Sequence, residues 1–127
     1  MVLTLPHDIQ HVSKADLTNL IEEHGRIHFL CAGWECQPMS MASNHEGMND
    51  ARFLPFFDLV RIINFLQAHQ TPKPLYMLEN TWPGHPGQYP KVDATAKMVE
   101  AFVGARAVVN AAGQESASHR VRNFWTK

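Results

Sequence analysis

Apolar residues follow two patterns along this chain, and the two patterns alternate. Short continuous apolar runs are typical of strands buried in a sheet, whereas apolar residues that recur every three or four positions are typical of amphipathic helices. Gly25 and the proline-containing segment 70–74 interrupt the helical patterns. The predicted strands cover residues 27–31, 75–78, 107–109 and 120–125, and the predicted helices begin at Ser13, Asp50 and Asp93.

The order of the predicted elements is helix–strand–helix–strand–helix–strand–strand. Amphipathic helices between continuous apolar strands favour an α/β fold, in which right-handed crossovers build a mostly parallel sheet with flanking helices. The 127 residues are enough for one domain with one hydrophobic core. We therefore predict a single α/β domain over residues 1–127.

Polar side chains follow two of these strands at the edge where ligands collect in open α/β sheets. Cys36 lies in a small-residue turn past the first strand, and Glu79 follows the second strand. Parallel neighbours would bring both side chains to the same edge. Cys36 is therefore a candidate nucleophile, although an inert cysteine is the plain alternative. Cys31, inside the first strand, is predicted to be a core residue.

Composition narrows the classes of function. The formal net charge of −1 excludes nucleic-acid binding through overall charge, so any phosphate contact must come from a local arginine cluster. The 2 cysteines are expected to be unpaired, in a reducing compartment. No apolar run reaches the ~18 residues of a membrane span, which predicts a soluble intracellular protein. The 8 histidines show no ligand spacing with a third partner, so no metal site is predicted.

Several short segments carry candidate chemistry along the chain. In order, they are Asp8-Ile9, Gly33-Trp34-Glu35-Cys36-Gln37-Pro38-Met39-Ser40, Gly47-Met48-Asn49-Asp50-Ala51-Arg52, Leu78-Glu79-Asn80 and Ser118-His119-Arg120-Val121-Arg122. Together they resemble the motifs of the cytosine-5 DNA methyltransferases, in the order that this family uses. The resemblance covers nearly the whole chain, and the combination is specific where any one segment alone would be weak.

The resemblance implies a reaction on cytosine. Cys36 would add to carbon 6 of a cytosine that has left the duplex, and Glu79 would hydrogen-bond to ring nitrogen 3. Arg122 matches the arginine that holds the cytosine carbonyl oxygen, and Arg120 would position it or contact phosphate. A loop over residues 40–48 would close over the base.

The resemblance also implies a cofactor and a nucleic-acid partner. Asp8 and Ile9 match the motif that touches the adenine of S-adenosylmethionine, and Trp34 would form a wall of the same cofactor site. Gln37 and Ser40 match loop residues near the phosphates of the target nucleotide, so DNA is the implied partner. The implied fold is Rossmann-like, a part of the S-adenosylmethionine-dependent methyltransferase fold.

Two departures from the family pattern affect these expectations. Glu35 stands where the family has a proline, and its negative charge disfavours the reactive thiolate of Cys36. The family's glycine-rich cofactor loop would precede Asp8, and the sequence contains no such stretch. The sequence therefore resembles a central fragment of the catalytic domain, truncated at both ends and weakly active or inactive alone. The missing parts would lie in a larger polypeptide or a partner chain.

Two alternatives to an active methyltransferase stay open from the sequence. An inactive methyltransferase-like module would keep the sheet and act through partner interactions. A cysteine hydrolase would use Cys36, a histidine and Glu79, but it leaves Gln37, Arg120 and Arg122 without a role. The methyltransferase interpretation implies a nuclear location in a eukaryote and a cytoplasmic one otherwise.

Overall fold

Three helices and four strands make up the described part of the chain. The structure, a computed structural model, describes residues 5–36, 38, 44–81, 87–110 and 121–126. Short 3-10 turns at Ile9–His11, Gly47–Asn49 and Ala51–Phe53 lie outside the longer helices. In chain order the main elements are α1 (Lys14–His24), β1 (Phe29–Gly33), α2 (Pro55–His69), β2 (Leu75–Thr81), α3 (Pro90–Val103), β3 (Arg106–Asn110) and β4 (Val121–Thr126).

The strands form one sheet in the order β1-β2-β4-β3. β1 runs parallel to β2, whereas β4 runs antiparallel to both of its neighbours. β1, β2 and β3 therefore share one direction, and the predicted α/β fold is confirmed. The sheet is mixed rather than mostly parallel in its pairing, because two of its three neighbouring pairs are antiparallel. The sequence did not predict that the reversed strand β4 lies between β2 and β3. This position makes β3 and β4 an antiparallel neighbour pair.

The helix starts follow from local capping. Ser13 and Asp16 form the predicted capping box, in which the Asp16 backbone N–H donates to Ser13 Oγ at 3.1 Å and the Ser13 N–H donates to Asp16 Oδ2 at 2.8 Å. The hydrogen bonds from Ser13 lower the pKa of Asp16. The predicted start of the second helix at Asp50 is wrong by five positions. Asp50 instead caps the turn Ala51–Phe53, and α2 begins at Pro55, whose ring favours the first helical position.

One face of the sheet packs against α2 and α3. Tyr76, Leu78 and Trp125 project from the strands into this core, and Leu78 and Trp125 are 0% exposed. Fully burying one such apolar side chain contributes about 1.5–3 kcal/mol to stability. A second buried cluster joins α1 to α2, and its members are Val12, Leu17, Ile62, Phe65 and Leu66.

The opposite face is open in the described part of the chain, and this corrects the prediction for Cys31. Cys31 is exposed rather than buried, because the odd-numbered positions of β1 point away from α2 and α3. Phe29 is 54% exposed and Leu75 is 61% exposed for the same reason. The first strand is therefore half-covered, and not a strand buried on both faces. None of the described helices is long and apolar enough to cross a membrane.

Candidate functional site

The parallel pairing of β1 and β2 brings the two predicted chemical positions to one edge of the sheet. Gly33, the last residue of β1, is the register partner of Glu79. A side chain at Gly33 would approach Glu79, because an added Cβ would lie 3.4 Å from Glu79 Oε2. The same Cβ would lie 3.3 Å from the Glu79 carbonyl oxygen, a tight contact that glycine avoids. Cys36 follows three positions later, and its side chain is exposed.

Glu79 is paired with a cation from the neighbouring antiparallel strand. Arg122 Nε donates to Glu79 Oε1 at 3.0 Å, and the two side chains are 26% and 37% exposed. Arg122 is opposite Thr81 in the register, so it is a diagonal neighbour of Glu79 on the open face. Two residues that the sequence places 43 positions apart thus form a half-buried ion pair beside the end of β1.

Buried amides hold this edge of the sheet together. Asn80 and Asn123 are register partners and are 1% and 0% exposed. Asn80 Nδ2 donates to the Trp34 carbonyl oxygen at 3.4 Å, and Asn123 Nδ2 donates to the Thr81 carbonyl oxygen at 2.9 Å. These bonds connect β2 to the segment that leads to Cys36 and to β4. Sequence reasoning gave Asn80 only as part of a motif and missed Asn123, although an asparagine inside an apolar strand is a signal for such a bond.

A cavity of about 450 Å³ opens near the end of β1. It brings together Asp8, Ile9 and Trp34, the residues for which the sequence suggests cofactor contact. Hydrogen bonds from the backbone and the side chain of Gln10 lower the pKa of Asp8, so its carboxylate is ionised at neutral pH. Sequence reasoning missed the other contributors to the wall, which are His7, Ala32, Gly33, Pro55 and Leu59.

Trp34 is both a wall of this cavity and a core residue. Its exposure is 9%, and its ring centroid lies 4.9 Å from that of Phe56 and 5.3 Å from that of Trp125. Its Nε1 is buried and has no hydrogen-bond partner among the described residues. The aromatic cluster fixes the ring, so the wall that it offers to the cavity is rigid.

Glu35, the departure from the family pattern, lies in the field of a nearby cation. The hydrogen bonds of Asp50 raise the pKa of Arg52, and the negative charge of Glu35 adds a smaller contribution in the same direction. The Arg52–Asp50 ion pair is 2.6 Å long. The charge of Glu35 therefore acts on Arg52.

Three of the predicted site residues cannot be placed in this geometry. Gln37, Ser40 and Arg120 lie outside the described residues. Of the other predicted site residues, Glu79 and Arg122 form an ion pair, and Asp8, Ile9 and Trp34 line the cavity. Cys36 lies three positions after the end of β1.

Comparison with solved structures defines the class of fold. The crystal structure of the S. pombe Dnmt2 methyltransferase superimposes with a TM-score of 0.53 over 94% of this chain, at 16% sequence identity. The matched region is 34% of that chain. The chain therefore shares the α/β fold of that methyltransferase over the matched region.

Sequence comparison gives the family. The model of the C-5 cytosine-specific DNA methylases matches residues 4–81, and the chain belongs to this family. The type II methyltransferase M.HgiCI of Herpetosiphon aurantiacus is 40% identical over 68 residues, and M.HhaI of Haemophilus parahaemolyticus is 34% identical over 65 residues. The matched regions cover 54% and 50% of this chain but only 15% and 19% of those relatives. The family match includes Cys36 and Glu79 and ends before Arg122.

Proposed function

We propose that this chain is the central part of a DNA (cytosine-5-)-methyltransferase catalytic domain, whose other parts belong to the same polypeptide or to a partner chain. The observation that carries the proposal is the Glu79–Arg122 ion pair, 3.0 Å long, at the sheet edge from which the Cys36 segment leaves. Family membership supports the roles of Cys36 and Glu79, and the strand register adds Arg122.

The proposed reaction starts with the thiolate of Cys36, which attacks carbon 6 of a cytosine that has been flipped out of DNA. The new carbon–sulfur bond moves an electron pair of the ring towards nitrogen 3. This nitrogen takes a hydrogen bond from the Glu79 carboxyl group, which has to hold a proton in this step, and Arg122 holds the ring carbonyl oxygen with its remaining N–H groups. Carbon 5 is then nucleophilic. After it is methylated it loses its proton to a base, and the carbon–sulfur bond breaks to release Cys36.

The residues around the cavity fit the adenosyl part of S-adenosylmethionine. The carboxylate of Asp8 offers acceptors for an exocyclic amine, and Ile9 and Trp34 offer apolar walls of the kind that small-molecule sites use. The bound cofactor would supply an electrophilic methyl group on sulfur. The chain's own contribution is to orient the adenosine and to keep water away from the edge of β1.

DNA is the proposed partner, because the reaction requires a base that leaves the duplex. Gln37 and Ser40 are proposed to lie near the phosphates of the target nucleotide, and Arg120 to help Arg122 or to contact phosphate. Since the chain's formal net charge is −1, these local contacts would have to supply the attraction to the backbone.

A covalent trap tests the proposal. Duplex DNA with 5-fluorocytosine is incubated with the chain and excess S-adenosylmethionine. The covalent protein–DNA adduct is then quantified on a denaturing gel. Fluorine at carbon 5 cannot leave as a proton would, so the carbon–sulfur bond persists. We expect an adduct with the wild-type chain and with Cys31→Ser, and none with Cys36→Ser. The matched control is informative because both cysteines are exposed. An adduct in Cys36→Ser, or none in the wild type, would overturn the proposal.

Two observations favour a non-catalytic module as the second candidate function. Glu35 places a negative charge beside the thiol, and Phe29 and Leu75 leave apolar surface on the open face of the sheet. Failure of the wild-type chain to form the adduct would support this candidate. A cysteine hydrolase is less consistent with the geometry, because within the described residues the Glu79 carboxylate is paired with Arg122 and no histidine is shown in contact with it.

A further inference from the structure

A buried threonine on α3 joins this helix to the segment after the nucleophile position. Thr95 is 0% exposed, and its Oγ1 donates to the Lys91 carbonyl oxygen at 2.8 Å. The same oxygen accepts the backbone N–H of Met48 at 2.8 Å. One hydroxyl group thus serves two backbone groups, one within its own helix and one 47 positions earlier in the sequence.

Gly47 allows this close approach. It is buried and has a φ of +56°, in the left-handed region that favours glycine. A Cβ at this position would overlap the hydroxyl of Thr95 and would lie 2.8 Å from the Lys91 carbonyl oxygen. The turn Gly47–Asn49 therefore rests directly on the first two turns of α3, with no room for any other residue at its first position.

The backbone of Gly47 extends the connection towards Cys36. Its N–H donates to the Pro38 carbonyl oxygen at 3.0 Å, and Pro38 is buried two positions after Cys36. The chain of contacts therefore runs from Thr95 to the Gly47–Asn49 turn, then to Pro38. The neighbouring ion pair of Glu46 with Lys91 is exposed and adds little, because solvent screens it.

We infer that Thr95 is a positioning residue for Cys36, acting through Met48, Gly47 and Pro38. The inference rests on the proposed function, in which the thiolate must be held at attack distance from carbon 6. Thr95 touches neither the thiol nor the proposed base. It connects Pro38, two positions after the nucleophile, to the N-terminal part of α3.

Amide hydrogen exchange tests the connection independently of catalysis. Thr95→Val keeps the shape of the side chain and removes the oxygen. We expect the amide of Met48 to exchange about tenfold faster because it loses its acceptor. The amide of Gly47 should accelerate similarly, although its own acceptor is Pro38, and Thr95→Ser should restore both rates. The inference would be overturned if the Gly47 amide of Thr95→Val exchanged at the wild-type rate. It would also be overturned if amides throughout α3 exchanged faster to the same extent.

A matched control comes from α1. Thr18 Oγ1 donates to the Lys14 carbonyl oxygen at 2.9 Å, the same bond within a helix, but at an exposed position. Thr18→Val should leave exchange at Gly47 and Met48 unchanged. Faster exchange there in this variant would show that loss of any helical hydroxyl loosens the turn, and the specific role of Thr95 would be lost.

The trapping reaction tests the consequence for catalysis. We expect Thr95→Val to form the 5-fluorocytosine adduct about tenfold more slowly than the wild type, and Thr95→Ser to recover most of the rate. An unchanged adduct rate with selectively faster exchange at Gly47 would overturn the positioning role. If the wild type forms no adduct, the proposed function fails, while the exchange rates still decide whether Thr95 holds the backbone after Cys36.

Discussion

The two faces of the sheet share the same strands and have opposite environments. On β2, Leu78 points to the helices and is 0% exposed, whereas Leu75 points to the other face and is 61% exposed. The Glu79–Arg122 pair lies on this second face. One face therefore contributes the apolar burial that stabilises the sheet, and the other presents the polar groups proposed for catalysis. Strand alternation, with its period of two residues, separates the two tasks.

The largest expected effect comes from truncating the same residue type on each face. Leu78→Ala leaves a cavity in the core and should lower the free energy of unfolding by about 2–5 kcal/mol. Leu75→Ala removes exposed atoms and should cost less than about 1 kcal/mol. Urea unfolding followed by tryptophan fluorescence gives both values. A similar cost for the two variants would mean that the open face is covered in solution, and the comparison of faces would fail.

Glu79→Ala tests whether a residue on the open face affects the rate of the reaction more than it affects the stability of the fold. The rate of 5-fluorocytosine adduct formation should fall by about 100-fold, because charge on ring nitrogen 3 loses its donor. The free energy of unfolding should change by less than about 1 kcal/mol, because the ion pair with Arg122 is partly solvated and screened.

Glu100→Ala is the matched control for this prediction. It removes a similarly exposed ion pair, in which Arg106 Nε lies 3.3 Å from Glu100 Oε1 between α3 and β3. The adduct rate should stay at the wild-type value. An equal loss of rate in both variants would indicate that a general loosening of the sheet, and not the position of Glu79, slows the reaction.

The alternation of strand side chains between the two faces of the sheet also explains which features the sequence could predict. Apolar runs identified β1, β2 and β3, and the parallel direction of β1 and β2 brought Glu79 to the edge from which the Cys36 segment leaves. The exposure of Cys31 could not be predicted, because an apolar run does not tell how many faces of a strand are covered. Contacts between distant segments were also missed. One example is the hydrogen bond from the Met48 N–H to Thr95 Oγ1, because the sequence around either residue does not indicate the other as its partner.

Tyr76→Phe tests a hydrogen bond on the face of the sheet that the helices cover. The hydroxyl of Tyr76 donates to the Val103 carbonyl oxygen at 2.9 Å, and its loss should cost about 1 kcal/mol at neutral pH. Burial raises the pKa of Tyr76 above its usual value of 10.0. Its contribution to stability is therefore fully present below about pH 10 and is lost as the pH rises through the higher value of the folded state.

Urea unfolding between pH 7 and 11 measures this dependence. The difference in unfolding free energy between the wild type and Tyr76→Phe should shrink at the alkaline end. Tyr89→Phe, which leaves Tyr76 in place, should retain the alkaline loss of the wild type. A constant difference between the wild type and Tyr76→Phe over this range would show that the hydroxyl is equally solvated in the folded and unfolded chains.

The smallest expected effect concerns the charge beside the nucleophile. Glu35→Gln removes the negative charge one position before Cys36. We expect weaker repulsion of the negative charge on the reacting sulfur. Because the groups are exposed to water, the interaction is weak, and alkylation of Cys36 at neutral pH should accelerate only about threefold. Mass spectrometry of iodoacetamide-treated protein measures the rate at each cysteine separately.

Cys31 provides the internal reference for this last measurement, because it is exposed on β1 in the same molecule. Its alkylation rate should be equal in the wild type and in Glu35→Gln. The acceleration at Cys36 should also shrink in high salt, which screens charges at the surface. An acceleration that is independent of salt, or shared by Cys31, would point to a changed backbone and not to electrostatics. The selective, salt-sensitive outcome would instead show that Glu35 restrains the thiol through its charge, so that replacing the family's proline alters the electrostatics of the nucleophile.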